Sequence, residues 1–149
     1  MLTAHVVYAT ITGNNRQVAD IVTQQLSNQG CRVTETEISQ TDAADLKHVD
    51  ICVVCAYTYD NGALPDEGLD FYEDLQTTRL TKQVYGVAGS GDTYYGDDYN
   101  TTVDHFETAF QLTGARQGAL PVKIDLAPDA TDRQRLASFT TALIHTAQG

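Results

Sequence analysis

The chain has 149 residues, 42% of them apolar, and a formal net charge of −11 from 20 acidic and 9 basic side chains. That length suits one domain spanning 1–149, with a core large enough to fold without metals or disulfides. Nucleic acid is disfavoured as a partner, because neutralising its phosphates needs clustered Lys and Arg. No apolar run approaches membrane-spanning length and no basic, apolar leader opens the chain, so a cytoplasmic, soluble monomer is the expectation.

The first apolar strand, Thr3 to Tyr8, runs into Thr10-Ile11-Thr12-Gly13-Asn14-Asn15 and then a helical pattern opening near Arg16. A strand-to-helix junction of this kind can seat one phosphate. The free N–H groups of the first helical turn and the positive end of its dipole favour an anion. Thr10, Thr12 and Asn15 add neutral side-chain donors, and Gly13 permits a tight bend. Neither Gly-Lys-Ser/Thr nor Gly-x-Gly-x-x-Gly occurs here, which excludes the usual triphosphate and dinucleotide loops. Taken alone, the segment reads more readily as an ordinary capped turn.

Val18, Ile21, Val22 and Leu26 then recur at helical spacing, with Gly30 as a stop. Arg32 to Ile38 carries polar residues throughout and suits an edge strand. A short link from Thr41 to Lys47 precedes Asp50 to Ala56, a continuous apolar run expected of a strand buried on both faces. Leu69, Tyr72, Glu73 and Gln76 mark a helix with a weak stripe. Gln83 to Ala88 is the fourth strand. Val103, Phe106, Phe110 and Leu112 mark a helix closed by Gly114, Leu120 to Leu126 is the fifth strand, and Leu136, Phe139, Leu143 and His145 fall on the last helix. This alternation predicts an α/β fold, a doubly wound five-stranded parallel sheet with helices on both faces and right-handed crossovers.

Cys52 and Cys55 resemble a redox pair in spacing, but residues three apart in a strand point to opposite faces, so core packing explains them better. The four histidines are scattered, and no metal site is expected. Of the 20 acids, 11 lie in two segments: Asp60, Asp66, Glu67, Asp70, Glu73 and Asp74, then Asp92, Asp97, Asp98, Asp104 and Glu107. The remaining acids and bases balance, so the net charge resides in those segments.

Ligands of such sheets bind beyond the carboxyl ends of the strands, where the strand order reverses. Two loops there are unusual: Tyr57-Thr58-Tyr59-Asp60-Asn61-Gly62 after the third strand, and Gly89-Ser90-Gly91-Asp92-Thr93-Tyr94-Tyr95 after the fourth. With the residues that follow, up to Tyr99, they hold 5 of the 8 tyrosines in a chain without Trp. Tyr is then the amphipathic aromatic for covering a planar ligand. A phosphate seat beside two aromatic, glycine-containing loops suits a planar ring on a singly phosphorylated chain, the shape of flavin mononucleotide (FMN).

On Val6 to Val22, Thr58 to Gly62 and Gly89 to Tyr95, the chain closely resembles the flavodoxins, in the short form lacking a long insertion in the last strand. It departs from the usual pattern at Asn15, where threonine is expected. The resemblance implies strand order 2-1-3-4-5 and FMN held at its phosphate by Thr10 to Asn15, with Tyr57 to Gly62 forming the second contact loop. Tyr59 would cover one ring face and Tyr95 the other, with Tyr94 as the alternative. Ser90, Gly91 and Asp92 would offer backbone groups to the pyrimidine edge.

It further implies a low-potential one-electron carrier shuttling FMN between oxidised, semiquinone and hydroquinone states, and no substrate of its own. The acidic rim would favour partners with basic docking faces. The weighed alternatives are an FMN-dependent NAD(P)H:quinone or nitro reductase, a receiver domain of the same architecture, and a plain interaction domain. A receiver needs carboxylates clustered at its early strand ends, and none follows the first strand until Asp20.

In flavodoxins a peptide of the Asp60 turn reorients on reduction to accept the new N5 proton, and many members have glycine immediately after the aromatic. Holding Asp60 in an unusual conformation costs on the order of 1–3 kcal/mol. Asp60→Gly is therefore expected to raise the oxidised/semiquinone potential; an unchanged or lower potential contradicts this reading.

Overall fold

The computed structural model describes residues 1–9, 13–58, 66–92 and 99–149. Strand β1 (Thr3–Ala9) leads to helix α1 (Asn14–Asn28) and the edge strand β2 (Arg32–Glu37). Two 3₁₀ turns, Ile38–Gln40 and Ala43–His48, fill the short link before β3 (Ile51–Ala56). Then come α2 (Leu69–Thr77), β4 (Val84–Gly91), α3 (Thr101–Thr113), β5 (Arg116–Gln117), β6 (Val122–Asp125) and α4 (Ala130–Gln148).

Every strand pairing is parallel, and the sheet runs β2-β1-β3-β4-β5, with β6 also paired to β4. The order 2-1-3-4-5 is thus present, with its fifth place divided between two short strands. β5 pairs with Val84 and Tyr85, and β6 with Ala88 to Gly91. The sequence reading placed one strand over Leu120 to Leu126; the structure begins it at Val122 and adds Arg116–Gln117. Between them the chain leaves the sheet at Pro121, which has no N–H to donate, and Leu120 is 78% exposed. Gly118 hugs β4 so closely that a Cβ would lie 2.1 Å from Val84 Cγ1.

Alternation along the strands divides the core into two layers. Val6, Val53 and Cys55 face Val18, Val22, Leu26, Leu136 and Leu143 of α1 and α4. Val7, Val54 and Cys52 face Leu46 and the Phe71, Leu75, Phe106 and Phe110 side chains of α2 and α3. Cys52 and Cys55 therefore lie on opposite faces, and burial pushes both thiols far above their usual range. The continuous apolar composition of β3 follows from this two-sided burial. In α2 the core stripe is Phe71 and Leu75, while Leu69 is exposed, so the expected Leu69 stripe was out of phase. Leu112 and His145 likewise face outward on helices whose other marked residues are buried.

One mismatch in strand length positions the site. β1 and β3 end together at Ala9 and Ala56, and β3 pairs with β4 only as far as Cys55 with Ala88. β4 runs on to Gly91 with a neighbour on its β6 side. The sheet therefore opens a notch beyond the ends of β1 and β3, walled by the last residues of β4.

Against α1, Glu35 of β2 is half-buried and accepts from Thr23 Oγ1 at 2.6 Å. Burial, then a hydrogen bond with Asp20, raises its pKa from 4.5 to about 7; Thr23 and Arg16 oppose the rise. The folded state therefore holds the Glu35 proton more tightly than the unfolded state. This contribution is complete below the unfolded pKa and is lost as pH rises through the folded one. Glu35→Gln, which keeps a neutral side chain, is expected to show a urea-midpoint advantage over the wild type that grows from pH 4 to pH 8. An advantage independent of pH would contradict the assignment.

Candidate flavin site

The notch is bordered by the N-terminus of α1. Gly13 precedes that helix at φ 95, and the first intrahelical bond runs from Gln17 N–H to the Gly13 carbonyl at 3.0 Å. A Cβ on Gly13 would meet nothing within 4 Å, so backbone conformation rather than crowding calls for glycine. The N–H groups of Asn14, Asn15 and Arg16 have no intrahelical acceptor, as in any first turn, and that turn carries no acid. These features suit a single anion. Arg16 lies with its guanidinium over the Tyr8 ring, 5.3 Å from the centroid.

Asn15 behaves differently from the sequence expectation. Its side chain is 2% exposed. Oδ1 accepts from the Ser90 N–H at 2.8 Å, and Nδ2 donates to the Ser90 carbonyl at 3.1 Å. The amide expected to serve a phosphate thus closes a two-point bond with the end of β4. Ser90's N–H, expected at a pyrimidine edge, is taken up in the same pair.

The rest of the β4 terminus is equally fixed. Ser90 Oγ donates to the Leu126 carbonyl, and Leu126 N–H donates to the Gly91 carbonyl at 2.8 Å. Leu126 reaches this position with φ 57. Asn100, fully buried at φ 52, sends Nδ2 to the Ile124 carbonyl at 3.0 Å. Its Oδ1 would lie 2.8 Å from a Cβ on Gly91, and a Cβ on Gly89 would lie 2.7 Å from the Ala56 carbonyl. Both glycines are required by close approach.

The loop after β3 is anchored by the two residues that open it. Tyr57 is buried, and its phenol donates to the Glu67 carboxylate at 2.8 and 2.9 Å. Thr58 Oγ1 accepts from the Thr102 N–H at 3.0 Å, capping the first turn of α3 from a distance. Thr10, Ile11, Thr12, Tyr59, Asp60, Asn61, Gly62, Tyr94 and Tyr95 lie outside the described residues. Of the other expected site residues, Gly13, Asn14 and Asn15 sit at the α1 end of the notch, and Ser90, Gly91 and Asp92 at the β4 end. Sequence reasoning missed Glu67, Asn100, Thr102 and Leu126, all of which hold the loop roots. Asn100, directly before the apolar stripe of α3, was the one with a readable signal, since Asn favours helix starts and left-handed conformations.

A cleft of about 440 Å³ is lined by Asp42, Asp66, Glu67, Asp70 and Asp74, with Phe71 at its base. Burial pushes the Tyr99 phenol up, against a hydrogen bond from Asn100 that lowers it. Among the described residues, no group of three or more His, Cys, Asp or Glu side chains could hold a metal ion.

This combination defines a doubly wound domain in which the N-terminus of α1 and the end of β4 meet beside the root of the loop after β3. A family model for flavodoxins matches residues 6–139. Probable flavodoxin 2 of Bacillus subtilis (strain 168) is 32% identical over 134 residues, spanning 89% of this chain and 88% of that protein. A solved short-chain flavodoxin associated with a PDU bacterial microcompartment is 63% identical, with TM-score 0.97 and 99% of each chain covered. The flavodoxin of Streptococcus pneumonia TIGR4 is 43% identical, with TM-score 0.93, covering 96% of this chain and 98% of that one. The chain belongs to the flavodoxin family. It is accordingly an FMN-binding electron carrier that works with redox partners, not an enzyme with its own substrate.

The described residues fit that cofactor. The first turn of α1 offers neutral donors and a helix dipole to one phosphate, with no carboxylate in that turn to oppose it. Once bound, FMN supplies reversible one-electron chemistry at its ring.

Proposed function

We propose that Thr10 to Asn15 hold the FMN phosphate chiefly through backbone N–H groups and the Thr10 and Thr12 hydroxyls. Tyr59 and Tyr95 cover the two ring faces, on loops rooted at Tyr57-Thr58 and Ser90-Gly91. With the Ser90 N–H and Gly91 carbonyl engaged inside the protein, the pyrimidine edge falls to Asp92 and the residues after it. The single observation that carries this reading is the convergence of the α1 N-terminus and the β4 end on one notch.

The acidic cleft supports a second element of the proposal, docking by partners with basic faces. Asp42, Asp66, Glu67, Asp70 and Asp74 give that side of the molecule one sign of charge, and complementary fields orient short-lived encounters. The net charge of −11 favours a monomer by self-repulsion. No described helix is long and apolar enough to cross a membrane. The three cysteines are free thiols, which suits a reducing, cytoplasmic setting.

Protein reconstituted with FMN is expected to be yellow, with bands near those of free flavin and a new long-wavelength band on partial reduction. Absence of flavin binding would refute the site. Electron transfer to a basic haem protein is expected to slow about tenfold or more from low to high ionic strength. A rate independent of salt would refute the docking element and leave flavin binding standing.

A further inference from the structure

The Asn15–Ser90 pair has a geometric cause in the sheet. Successive residues of a parallel strand direct their N–H and C=O groups to alternate sides. The Gly91 carbonyl accepts from Leu126 on the β6 side, so Ser90 addresses the β3 side. There β3 has already ended, its ladder closing at Cys55 with Ala88. Ser90 would be left with a buried donor and a buried acceptor facing the notch, an expensive arrangement for backbone groups. The Asn15 amide answers both, its Oδ1 taking the N–H and its Nδ2 meeting the carbonyl. In effect a side chain stands in for the missing strand residue.

Among the coded side chains of this length, Asn is suited to the task. Aspartate lacks the donor when ionised, and threonine carries one hydroxyl on a shorter arm. The pair also joins residues 75 apart in the chain, linking the first turn of α1 to the last turn-point of β4. Ser90 is held from the far side by its own hydroxyl on Leu126, so Asn15 is the tie on the notch side.

We propose that Asn15 is a positioning residue for the flavin ring and not a side-chain ligand of the phosphate. It fixes the root of the loop that begins at Asp92 against the helix end that seats the phosphate. The distance between the two halves of the site is thereby set before any cofactor arrives.

The proposal rests on the flavin reading of the notch, and riboflavin, which has the ring and chain but no phosphate, separates the two. Asn15→Ala and Asn15→Thr are measured against both flavins by fluorescence quenching on the full chain. Threonine is the residue usual at this position in the family, so Asn15→Thr keeps the test open if the alanine variant does not fold. Both variants are expected to weaken riboflavin and FMN by the same factor, about tenfold. The visible circular dichroism of the bound ring is expected to change shape in Asn15→Thr, a signature that a general loss of stability does not produce.

Loss of FMN affinity with riboflavin binding intact would return Asn15 to the phosphate and overturn the proposal. So would unchanged affinity for both flavins, or an unaltered dichroism band. Wild-type protein that binds neither flavin would overturn the flavin reading itself, and the proposal with it.

Discussion

The site depends on strands of unequal reach. β1 and β3 stop at Ala9 and Ala56, while β4 continues to Gly91 with a strand neighbour on its β6 side. A parallel sheet that ends this way leaves peptide groups facing open space at its carboxyl edge. The Asn15 amide takes the place beside Ser90 that a further strand residue would occupy. The end of β4 projects past β3 with its Ser90 peptide groups matched by that amide. Removing Asn15 would leave a buried N–H and carbonyl without partners, a cost of about 1–3 kcal/mol for a neutral group.

Rigidity at the loop roots is achieved by several short, independent ties. Tyr57 is held by Glu67, Thr58 by the first turn of α3, Ser90 by Asn15 and Leu126. Each tie uses a polar atom of the loop on the protein rather than on a ligand. Glu67 has a structural partner in the Tyr57 phenol in addition to whatever field it contributes to the acidic cleft. The neutral donors at α1 and the carboxylates beyond the notch are electrostatically consistent. Arg16, the cation in the first turn of α1, lies with its guanidinium over the Tyr8 ring.

The sequence revealed most of the architecture, for a physical reason. β1, β3 and β4 are apolar on both faces, and α1 presents Val18, Ile21, Val22 and Leu26 at an unmistakable period. The Cys52 and Cys55 faces followed from strand geometry alone. What escaped notice were features with little local signal. Arg116–Gln117 is a two-residue, exposed strand fixed by its neighbour on β4. In the acid-rich α2, Leu69 and Tyr72 are apolar or aromatic beside Phe71 and Leu75, so the composition left the phase of the buried stripe ambiguous. At the site, residue types and loop positions were legible, but the pairings of Asn15 with Ser90 and of Tyr57 with Glu67 were not. Such pairings depend on which groups the fold leaves unpaired, and local periodicity carries no record of that.

The central claim is that the Asn15 amide belongs to the sheet rather than to the phosphate. Nuclear magnetic resonance of uniformly ¹³C,¹⁵N-labelled wild-type protein tests it directly, through scalar coupling across the hydrogen bond from Asn15 Nδ2 to the Ser90 carbonyl. The account predicts that this coupling is present with and without FMN. It also predicts that titrating inorganic phosphate into the apoprotein shifts the first-turn backbone amides of α1 while the Asn15 side-chain resonances stay in place. A coupling that is absent, or a side-chain amide whose resonance follows the phosphate titration, would contradict it.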